Sequence, residues 1–376
     1  MWVHSLSLTD FRSHGQVDLE FSPGVTTFIG LNGQGKTNLI EAIGYVSSLS
    51  SHRVAADAPL VRHGAQIALI RCGITADDRE ITVDLAITPG RANKARINRS
   101  PVPRTRDVLG LLRTVLFAPE DLSLVKGDPS ERRRFLDDLL IQRSPRLAGT
   151  RSDYERVLKQ RNALLKSASV ARRRAEDEMI RTLEVWDDQL ATIGGQLIHE
   201  RICLVQDLFP LAADEYGLLA GAHGSPLGLR YVSSINDLTE FPGDKDSWQA
   251  RILDELLRRR SDELNRGLTL VGPHRDDLLL TLADIPAKGY ASHGEAWSIA
   301  LALRLGSYAL LRADGVDPVL MLDDVFAELD ATRRERLGER VRTAQQVLVT
   351  AAVEADVPPA LQGATIRVSR EGMSPE

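Results

Sequence analysis

Residues 30–37 read Gly30-Leu31-Asn32-Gly33-Gln34-Gly35-Lys36-Thr37, an uninterrupted match to the pattern GxxxxGKT. The apolar run VTTFI at 25–29 precedes this segment, and NLIEAIGYV at 38–46 follows it. A strand, a glycine loop and a helix in this order are typical of a P-loop. The N–H groups of the loop converge on phosphate oxygens, and the helix N-terminus adds partial positive charge. The segment therefore predicts nucleotide binding and an α/β architecture.

The residue types in this segment predict individual contacts. Lys36 is expected to reach the β- and γ-phosphates of ATP, and Thr37 to place its hydroxyl on Mg²⁺. The alternative is a glycine-rich turn that matches by chance, and the flanking strand and helix argue against it. The predicted ATP-binding residues are Gly30, Leu31, Asn32, Gly33, Gln34, Gly35, Lys36, Thr37 and Asn38.

A second motif is the run VLMLDD at 319–324, an apolar strand that ends in two carboxylates. A Walker B strand has this form. Asp323 is expected to hold Mg²⁺ through water, and Asp324 is the predicted catalytic residue that polarises the attacking water. Taken alone, the run is equally compatible with a buried strand capped by acidic turn residues. Its combination with the P-loop favours Walker B.

The distance along the chain between the two motifs indicates a large insertion. Most of the chain separates Lys36 from Asp323, whereas a small kinase or GTPase needs only a few strands there. Strand-like alternation fills 1–90 and returns from Pro318, while apolar residues at helical spacing fill 129–266. The Gly-, Pro- and Ser-rich segment 217–245 is predicted to be a loop.

We therefore predict an ATPase head with a mixed sheet around the Walker A helix and an inserted helical lobe. Lobe I would comprise 1–125 and 300–376, and lobe II would comprise 126–299 with the YASHGE segment at its C-terminal end.

The segment YASHGE at 290–295 is followed by the apolar helical run AWSIALALRLGSYALL. Ser292 and Gly294 would form a Ser-x-Gly element at a helix N-terminus, which repeats the anion-binding principle of the P-loop. We do not expect the chain's own γ-phosphate site to reach this element, and we therefore expect the element to complete a second copy's site across a dimer. The alternative is a plain N-cap at Ser292 with Glu295 as its capping-box partner. The two roles are compatible.

With these motifs placed, the chain resembles the RecF family of ABC-type ATPases, which are related to SMC heads. The resemblance covers nearly the full length and includes blocks far more specific than a P-loop. These blocks are FRSHGQVDLEF at 11–21, GLNGQGKTNLIEAI at 30–43, VLFAPEDLSLVKG at 115–127, SERRRFLD at 130–137, QRNALLK at 160–166, VGPHRDD at 271–277, YASHGE at 290–295 and LMLDDVFAELD at 320–330.

The resemblance implies an ATP-dependent DNA-binding protein with weak ATPase activity. Such a protein would form a homodimer when ATP is bound and would bind double-stranded DNA, single-strand/duplex junctions and single-stranded DNA. It would act with RecR and RecO to load RecA at gaps and would support SOS induction. Its implied cofactors are ATP and Mg²⁺.

Further residue roles follow from the resemblance alone. Ser292, Gly294 and Glu295 match the signature that touches the other subunit's nucleotide, although Glu295 replaces the usual Gln. Asp330 matches the D-loop together with Glu328 and Leu329, and Thr350 stands where other ABC enzymes carry a switch His. Glu120 is a candidate for the Q-loop position, where no Gln is present.

Composition limits how this chain could bind DNA. Its 47 Lys and Arg are outnumbered by 52 Asp and Glu, for a net charge of −5, which excludes a wholesale basic DNA-coating protein. Binding therefore requires a local basic surface that neutralises phosphates. The predicted DNA contacts are Arg91, Lys94, Arg96, Arg99, Arg104 and Arg106; weaker candidates are Arg132 to Arg134 and Arg172 to Arg174, for which ordinary ion pairs are the alternative.

The remaining features are negative signals. No apolar run approaches the roughly 20 residues of a membrane helix, no signal peptide is recognised, and Cys72 and Cys203 lack metal-ligand spacing. A cytoplasmic protein without membrane contact is expected. Two alternative functions stay open at this point: a metabolic P-loop kinase in which Asp324 activates a small-molecule hydroxyl, and a scaffold that binds ATP without hydrolysis.

Overall fold

The computed structural model describes residues 1–170, 176–221, 224–235, 243–369 and 373–375. Its strands are β1 (Trp2–Phe11), β2 (His14–Glu20), β3 (Gly24–Ile29), β4 (Ala68–Ala76), β5 (Arg79–Ile87), β6 (Lys94–Ile97), β7 (Ser100–Pro101), β8 (Thr114–Phe117), β9 (Leu227–Val232), β10 (Asp277–Leu282), β11 (Ile285–Pro286), β12 (Val319–Asp323), β13 (Gln346–Ala351), β14 (Ala364–Val368) and β15 (Met373–Pro375).

The helices are α1 (Lys36–Ser48), α2 (Leu122–Lys126), α3 (Pro129–Arg143), α4 (Leu147–Val170), α5 (Glu176–Ala220), α6 (Lys245–Arg266), α7 (Ala287–Tyr290), α8 (His293–Ala313) and α9 (Ala331–Val341). Over the described residues, none of them combines the length and the apolar character needed to cross a bilayer.

Three sheets organise the strands. The first is antiparallel with the order β2-β1-β4-β5-β6-β7, and the second has the order β15-β14-β3-β13-β12-β8. In the second sheet only β15 runs antiparallel to its neighbour. All five residues of β12 are buried, which explains why its sequence is a continuous apolar run rather than an alternating one. A small sheet, β11-β10-β9, completes the set.

Helix α1 packs in one core with residues of both large sheets. Its Leu39, Ile40 and Ile43 share a hydrophobic cluster with Leu6 of β1 and Leu348 of β13. Because residues on nearly every side of α1 are buried, its sequence is apolar around most of the helix rather than along one stripe. Each such side chain contributes roughly 1.5–3 kcal/mol of burial free energy, so this core fixes where α1 begins.

The described residues divide into two compact units. The sheet unit comprises Met1–Lys126, Pro210–Leu227 and Ala287–Glu376, and the helical unit comprises Gly127–Phe209 and Gly228–Pro286. Helix α5 contributes residues to both units.

This division differs from the sequence-based one at 210–227 and 287–299, which both belong to the sheet unit. Packing within that unit explains the difference. A Cβ atom at Gly306 would lie 3.0 Å from the backbone of Ala212, so the last part of α5 lies directly against α8. Arg340 of α9 also forms an ion pair with Glu215 of α5. The described part of the segment 217–245, which was predicted to be a loop, contains the end of α5 and the strand β9, so the prediction was wrong for those residues.

A buried arginine crosslinks the helical unit. Arg161 of α4 has no solvent exposure, and it donates to the carboxylates of Asp187 and Glu263 at 2.7 and 2.6 Å and to Thr269 Oγ1 at 2.8 Å. The three partners lie on α5, on α6 and after α6. Charged partners on several elements hold this cation in one place.

Most of the VGPHRDD block is buried or half-buried in the same unit, and Arg275 is its exposed residue. Tyr154 contacts His274 Nδ1 at 2.8 Å, and Tyr231 donates to Asp276 at 2.7 Å. Burial lowers the pKa of His274 to about 4 and raises the pKa of Asp276. This block is therefore part of the buried scaffold of the helical unit.

Candidate functional site

The predicted nucleotide-binding motifs converge at the carboxyl edge of the parallel sheet. Strands β3, β13 and β12 are neighbours, and Thr350 pairs in register with Phe28 on one side and with Asp323 on the other. The segments that follow these strands therefore emerge side by side. In open α/β sheets ligands bind at this edge. The site residues come from distant parts of the sequence because strands from both the N-terminal and the C-terminal part of the chain form this sheet.

The glycines of the P-loop are required by close backbone approaches. Gly35 has φ of 101°, in the left-handed region, and a Cβ atom there would lie 2.6 Å from the ring of His14. A Cβ atom at Gly30 would lie 2.3 Å from the carbonyl oxygen of Val368. Gly35 also precedes α1 without any side-chain cap, so the first N–H groups of the helix are not used by a capping side chain. This is the arrangement that favours an anion.

Lys36 is enclosed by the loop. Its residue surface is only 3% exposed, and Nζ donates to the carbonyl oxygen of Gly30 at 2.7 Å. Longer contacts join Nζ to the carbonyl oxygen of Leu31 and to Asn32 Oδ1. All three acceptors are neutral. A buried ammonium group with neutral partners forms a stronger, charge-assisted bond when a phosphate oxygen replaces them.

Thr37 and Asp323, the two predicted Mg²⁺ residues, are in direct contact. Asp323 Oδ1 accepts hydrogen bonds from Thr37 Oγ1 at 2.9 Å and from Thr350 Oγ1 at 2.7 Å. Asp323 Oδ2 faces His52 Nε2 at 3.7 Å. Hydroxyl and carboxylate oxygens fit Mg²⁺, which typically takes one or two protein carboxylates and completes its shell with phosphate and water. Accordingly, no cluster of three or more His, Cys, Asp or Glu suited to a metal is found among the described residues.

Asp324 occupies an unusual backbone conformation beside this pair. Its φ of 49° is in the left-handed region, which non-glycine residues adopt rarely and mostly at turns and functional sites. Its backbone N–H donates to Thr350 Oγ1 at 2.8 Å, so the threonine hydroxyl links both carboxylate residues. Burial raises the pKa of Asp324, as does the neighbouring Asp323, while Lys36 acts in the opposite direction.

Three cavities open around these residues. One of about 230 Å³ is lined by Ser13, Asn32, Gly33, Gly35, Lys36, Thr37, Asn38, Arg53 and Asp324. A second of about 160 Å³ shares Asn32 and Asp324 with it and adds Pro119, Phe326, Ala327, Glu328, Thr350, Ala351, Ala352 and Asp356. A third of about 620 Å³ shares Ser13, Asn38 and Arg53 with the first and adds Arg12, Ala58, Pro59, Val61, Arg62, His63, Gly64, Ala65 and Pro89. Because the first cavity shares lining residues with each of the other two, the three cavities adjoin one another between Glu328 and Arg62.

Sequence reasoning missed several of these lining residues. Ser13 Oγ accepts from Asn38 Nδ2 at 2.8 Å, and Arg53 donates to Asn38 Oδ1 at 3.1 Å. Arg12 forms two hydrogen bonds with the buried Glu41 of α1. Ser13 and Arg12 lie within the FRSHGQVDLEF block, which was a usable signal. Arg53 lies in no recognised motif, so only the fold brings it to the site.

The predicted signature residues lie at the start of α8. Ser292 is the N-cap: its N–H donates to Glu295 Oε2 at 2.8 Å, and Glu295 N–H donates to Ser292 Oγ at 3.3 Å. The capping-box alternative is therefore present in the structure. The bonds from Ser292 lower the pKa of Glu295, and the charge of Arg333 contributes. None of these residues is among the described residues that line the three cavities.

Comparisons with known proteins decide the family. Residues 2–374 match the family described as the RecF/RecN/SMC N terminal domain. The chain is 59% identical over 365 residues to the DNA replication and repair protein RecF of Frankia alni, with 96% of each chain covered. It is 57% identical to the protein of the same name from Streptomyces avermitilis, with 98% of each covered.

The chain belongs to the RecF family of DNA replication and repair proteins. The resemblance inferred from the sequence motifs is thereby confirmed.

Solved structures support the same assignment. The chain superposes with a TM-score of 0.88, at 26% identity and with 100% and 98% coverage, on a structure described as the recombination mediator protein RecF-ATPrS in the RecFOR pathway. A second, described as RecF-ATP, gives a TM-score of 0.90. The SMC head domain from Pyrococcus furiosus shares the fold at 17% identity, with a TM-score of 0.56. The predicted fold class, an α/β ATPase head with a helical insertion, is confirmed.

The remaining RecF motif positions have defined contacts. Asp330 is the N-cap of α9 and accepts from the N–H of Arg333 at 2.9 Å, while Glu328 lines the second cavity. Thr350 is buried and bonded to both Walker B residues, as described above. Glu120 is exposed at the start of the segment after β8, and its neighbour Pro119 lines the second cavity.

The structure separates the basic candidates into two kinds. Lys94 and Arg96 lie on the solvent side of β6, where they flank the buried Ala95. Arg91, Arg99 and Arg104 are also exposed, and Arg106 is partly exposed. Within the described part of the chain, none of the six forms an ion pair.

The second window is different. Arg132 is buried and bonded to both carboxylate oxygens of Asp277, and Arg133 donates to the carbonyl oxygen of Asp276. Arg134 lies 3.6 Å from the carboxylate of Asp138. Arg132 to Arg134 thus have structural partners, and the alternative of ordinary ion pairs applies to them. Residues 172–174 lie outside the described residues.

Proposed function

We propose that this chain is an ATP-controlled DNA-binding protein of recombinational repair and replication. The observation that carries the proposal is the contact of Thr37 with Asp323, beside Lys36 and Asp324 at one sheet edge. This geometry suits a nucleoside triphosphate and its cation, and RecF relatives are described with ATP and ATPrS. The chain would work in the cytoplasm.

The cavities suggest how ATP is held. The phosphates would lie over Lys36 and the start of α1, because the buried ammonium and the uncapped N–H groups are there. The base and ribose would extend into the third cavity, which shares Ser13 and Arg53 with the phosphate site. Thr37 and Asp323 would hold Mg²⁺, which when bound neutralises charge on the phosphate oxygens.

Asp324 would orient the water that attacks the γ-phosphate. Its position next to Asp323 and the second cavity supports this role, and a raised pKa makes a carboxylate a better proton acceptor. We propose a weak ATPase activity that acts as a switch: ATP permits DNA binding, and hydrolysis reverses it.

The signature residues would act on a second copy. Ser292, Gly294 and Glu295 do not line the three cavities of their own chain, which supports a role in trans across an ATP-dependent homodimer.

Dimerisation would also bring together two sets of exposed basic residues from 91–106, although the whole chain is acidic. Double-stranded DNA, single-strand/duplex junctions and single-stranded DNA would be bound through their phosphates. RecR and RecO would be the protein partners, with RecA loading at gaps and SOS induction as the outcome.

Sedimentation velocity tests the switch. Wild-type protein is expected to be monomeric without nucleotide and dimeric with ATP and Mg²⁺. Lys36→Met should stay monomeric because it loses phosphate binding, and Ser292→Arg should bind ATP yet stay monomeric because the trans contact is blocked. A wild-type protein that remains monomeric with ATP rejects the proposal.

Measurement of phosphate release with and without DNA distinguishes the switch from a scaffold that binds ATP without hydrolysis. The wild-type protein should release phosphate faster with DNA, and Asp324→Asn should lose this release.

Salt dependence tests the DNA surface. Duplex affinity is measured against salt concentration with ATP present, for wild type and for the double variant Lys94→Gln/Arg96→Gln. Removal of two phosphate contacts should reduce the slope of log affinity against log salt by about 2. Arg71→Gln is the matched control, since Arg71 is exposed on the same sheet but paired with Asp84. Equal slopes in all three proteins exclude this surface.

A further inference from the structure

Arg333, in the first turn of α9, connects the D-loop to the signature helix. Its guanidinium forms an ion pair with Asp330 and donates through Nε to Ser298 Oγ at 2.9 Å. Ser298 in turn donates to the carbonyl oxygen of Gly294 at 3.0 Å. A single side chain therefore joins the two motifs that are expected to face the second copy of the chain.

Gly294 permits the close approach of this charge. A Cβ atom at position 294 would lie 2.9 Å from a guanidinium nitrogen of Arg333. The guanidinium thus lies against the first turn of α8. A cation at a helix N-terminus opposes the helix dipole, so packing alone does not favour it there. In this chain two carboxylates offset the unfavourable placement, that of Asp330, which forms an ion pair with Arg333, and that of Glu295.

Glu295 is the second of these anionic groups. It is held near the N-terminus of α8 by its bonds with Ser292. Its negative charge would repel a triphosphate. Arg333 is the nearby positive charge that offsets it, and the same attraction contributes to the lowered pKa of Glu295.

A buried hydroxyl of the sheet unit lacks a hydrogen-bond partner. Tyr216 of α5 is 2% exposed, and its hydroxyl has no hydrogen-bond partner in the described part of the chain. Burial raises the pKa of Tyr216, as does the charge of Glu295, while the charge of Arg333 lowers it. A buried hydroxyl without a partner is costly unless something completes its hydrogen bonding.

We propose that Arg333 is a positioning residue of the signature: it fixes the D-loop to the start of α8 and offsets Glu295, so that this helix N-terminus accepts the γ-phosphate bound by a second copy. The inference rests on the ATP-dependent dimer proposed above. It adds that the negative charge of Glu295 is compatible with a bound triphosphate because Arg333 lies against the same helix turn.

A charge-rescue experiment tests this inference. The dimer dissociation constant is measured by sedimentation with ATPγS and Mg²⁺ for wild type, Arg333→Gln, Arg333→Lys, Glu295→Gln and the double variant Arg333→Gln/Glu295→Gln. We expect Arg333→Gln to weaken the dimer by about tenfold or more, Arg333→Lys by much less, and the double variant to recover most of the loss. Arg340→Gln is the matched control on α9, because Arg340 pairs with Glu215 instead. It should leave the dimer unchanged.

Two further measurements separate the possible outcomes. Binding of a fluorescent ATP analogue to the monomer should be unaltered in the Arg333 variants, since Arg333 does not line the chain's own cavities. The unfolding temperature should fall only slightly, because the bonds to Asp330 and Ser298 are lost while the fold is retained. Wild-type dimerisation in Arg333→Gln, equal losses in Arg333→Gln and Arg333→Lys, or no recovery in the double variant would each overturn the role of Arg333 alone. A wild-type protein that stays monomeric overturns the dimer itself and this inference with it.

Discussion

Buried cations have different partners in the two units. In the helical unit, Arg161 is bonded to two carboxylates and a hydroxyl on surrounding elements. In the sheet unit, Lys36 is nearly as buried, but its acceptors are two carbonyl oxygens and one amide oxygen of its own loop. The first cation has partners that balance its charge. The second has partners that a phosphate can replace.

The difference shows how burial can serve either the fold or a ligand. A buried charge that is already paired has little to gain from an added anion, and removal of its partner is costly. A buried charge with neutral acceptors can gain a charge-assisted bond. The identity of the partners, more than the extent of burial, therefore distinguishes scaffold residues from binding residues in this molecule.

The largest expected effect is a loss of stability when the scaffold residue Arg161 is replaced. Arg161→Met should lower the free energy of unfolding by about 3–5 kcal/mol, because Asp187 and Glu263 would keep buried charges without their partner. Urea unfolding measures the loss. Arg156→Met, on the same helix but in an exposed pair with Asp153, should cost less than about 1 kcal/mol. A similar small loss in both variants would contradict the comparison.

The second-largest expected effect is a loss of ATP affinity when the binding residue Lys36 is replaced. Lys36→Met should reduce ATP affinity by roughly a hundredfold, about 3 kcal/mol, because the ammonium bond to phosphate is lost. The unfolding temperature without nucleotide should fall only slightly, since the neutral loop acceptors lose a donor and Asp324 loses a nearby positive charge. Calorimetric titration and thermal melting measure the two quantities. Lys94→Met, an exposed lysine of β6, should change neither, and a large loss of stability in Lys36→Met would make that lysine a scaffold residue.

Acidification should affect the scaffold through His274. Its folded-state pKa of about 4 lies below the ordinary value of 6.5, so below pH 6.5 the unfolded chain binds a proton that the folded chain does not. Stability should therefore fall by about 2 kcal/mol between pH 7 and pH 5 from this group. Urea unfolding at the two pH values measures the change, and His274→Gln should remove this part of the pH dependence. An equal pH dependence in both proteins would exclude His274 as its source.

The smallest effect is expected at Thr350, which is buried as scaffold residues are and is bonded to both Walker B residues of the candidate site. Thr350→Val should cost about 1–2 kcal/mol of stability, because the Asp324 N–H and Asp323 Oδ1 each lose a buried hydrogen bond. Phosphate release should slow as the Walker B carboxylates lose their common anchor. Thr9→Val, at an exposed position of β1, is the control and should be almost neutral. Unchanged stability and turnover in Thr350→Val would show that Thr37 alone positions Asp323.

The sequence predicted the local features of this molecule well. The P-loop, the Walker B strand and α1 follow from apolar runs and glycine placement that a short window contains. The contribution of Arg53 to the site and the place of 210–227 in the sheet unit depend on packing, such as that of Ala212 against Gly306, which no local pattern records. Likewise, the sequence indicated Arg132 as a candidate DNA contact. It could not show that the carboxylate of Asp277 neutralises this arginine. The strand β9 was missed because glycine and proline surround it.

The hairpin of β6 and β7 has a consequence for the behaviour of the folded protein in a crowded solution. It forms one free edge of the antiparallel sheet, where unpaired backbone groups could recruit strands of other molecules. Pro101 lacks a backbone donor on the edge strand β7, and Lys94 and Arg96 on the adjacent strand β6 place like charges beside the edge. Two copies that approach edge to edge therefore repel one another. The same residues that are proposed to meet DNA also protect the sheet from aggregation.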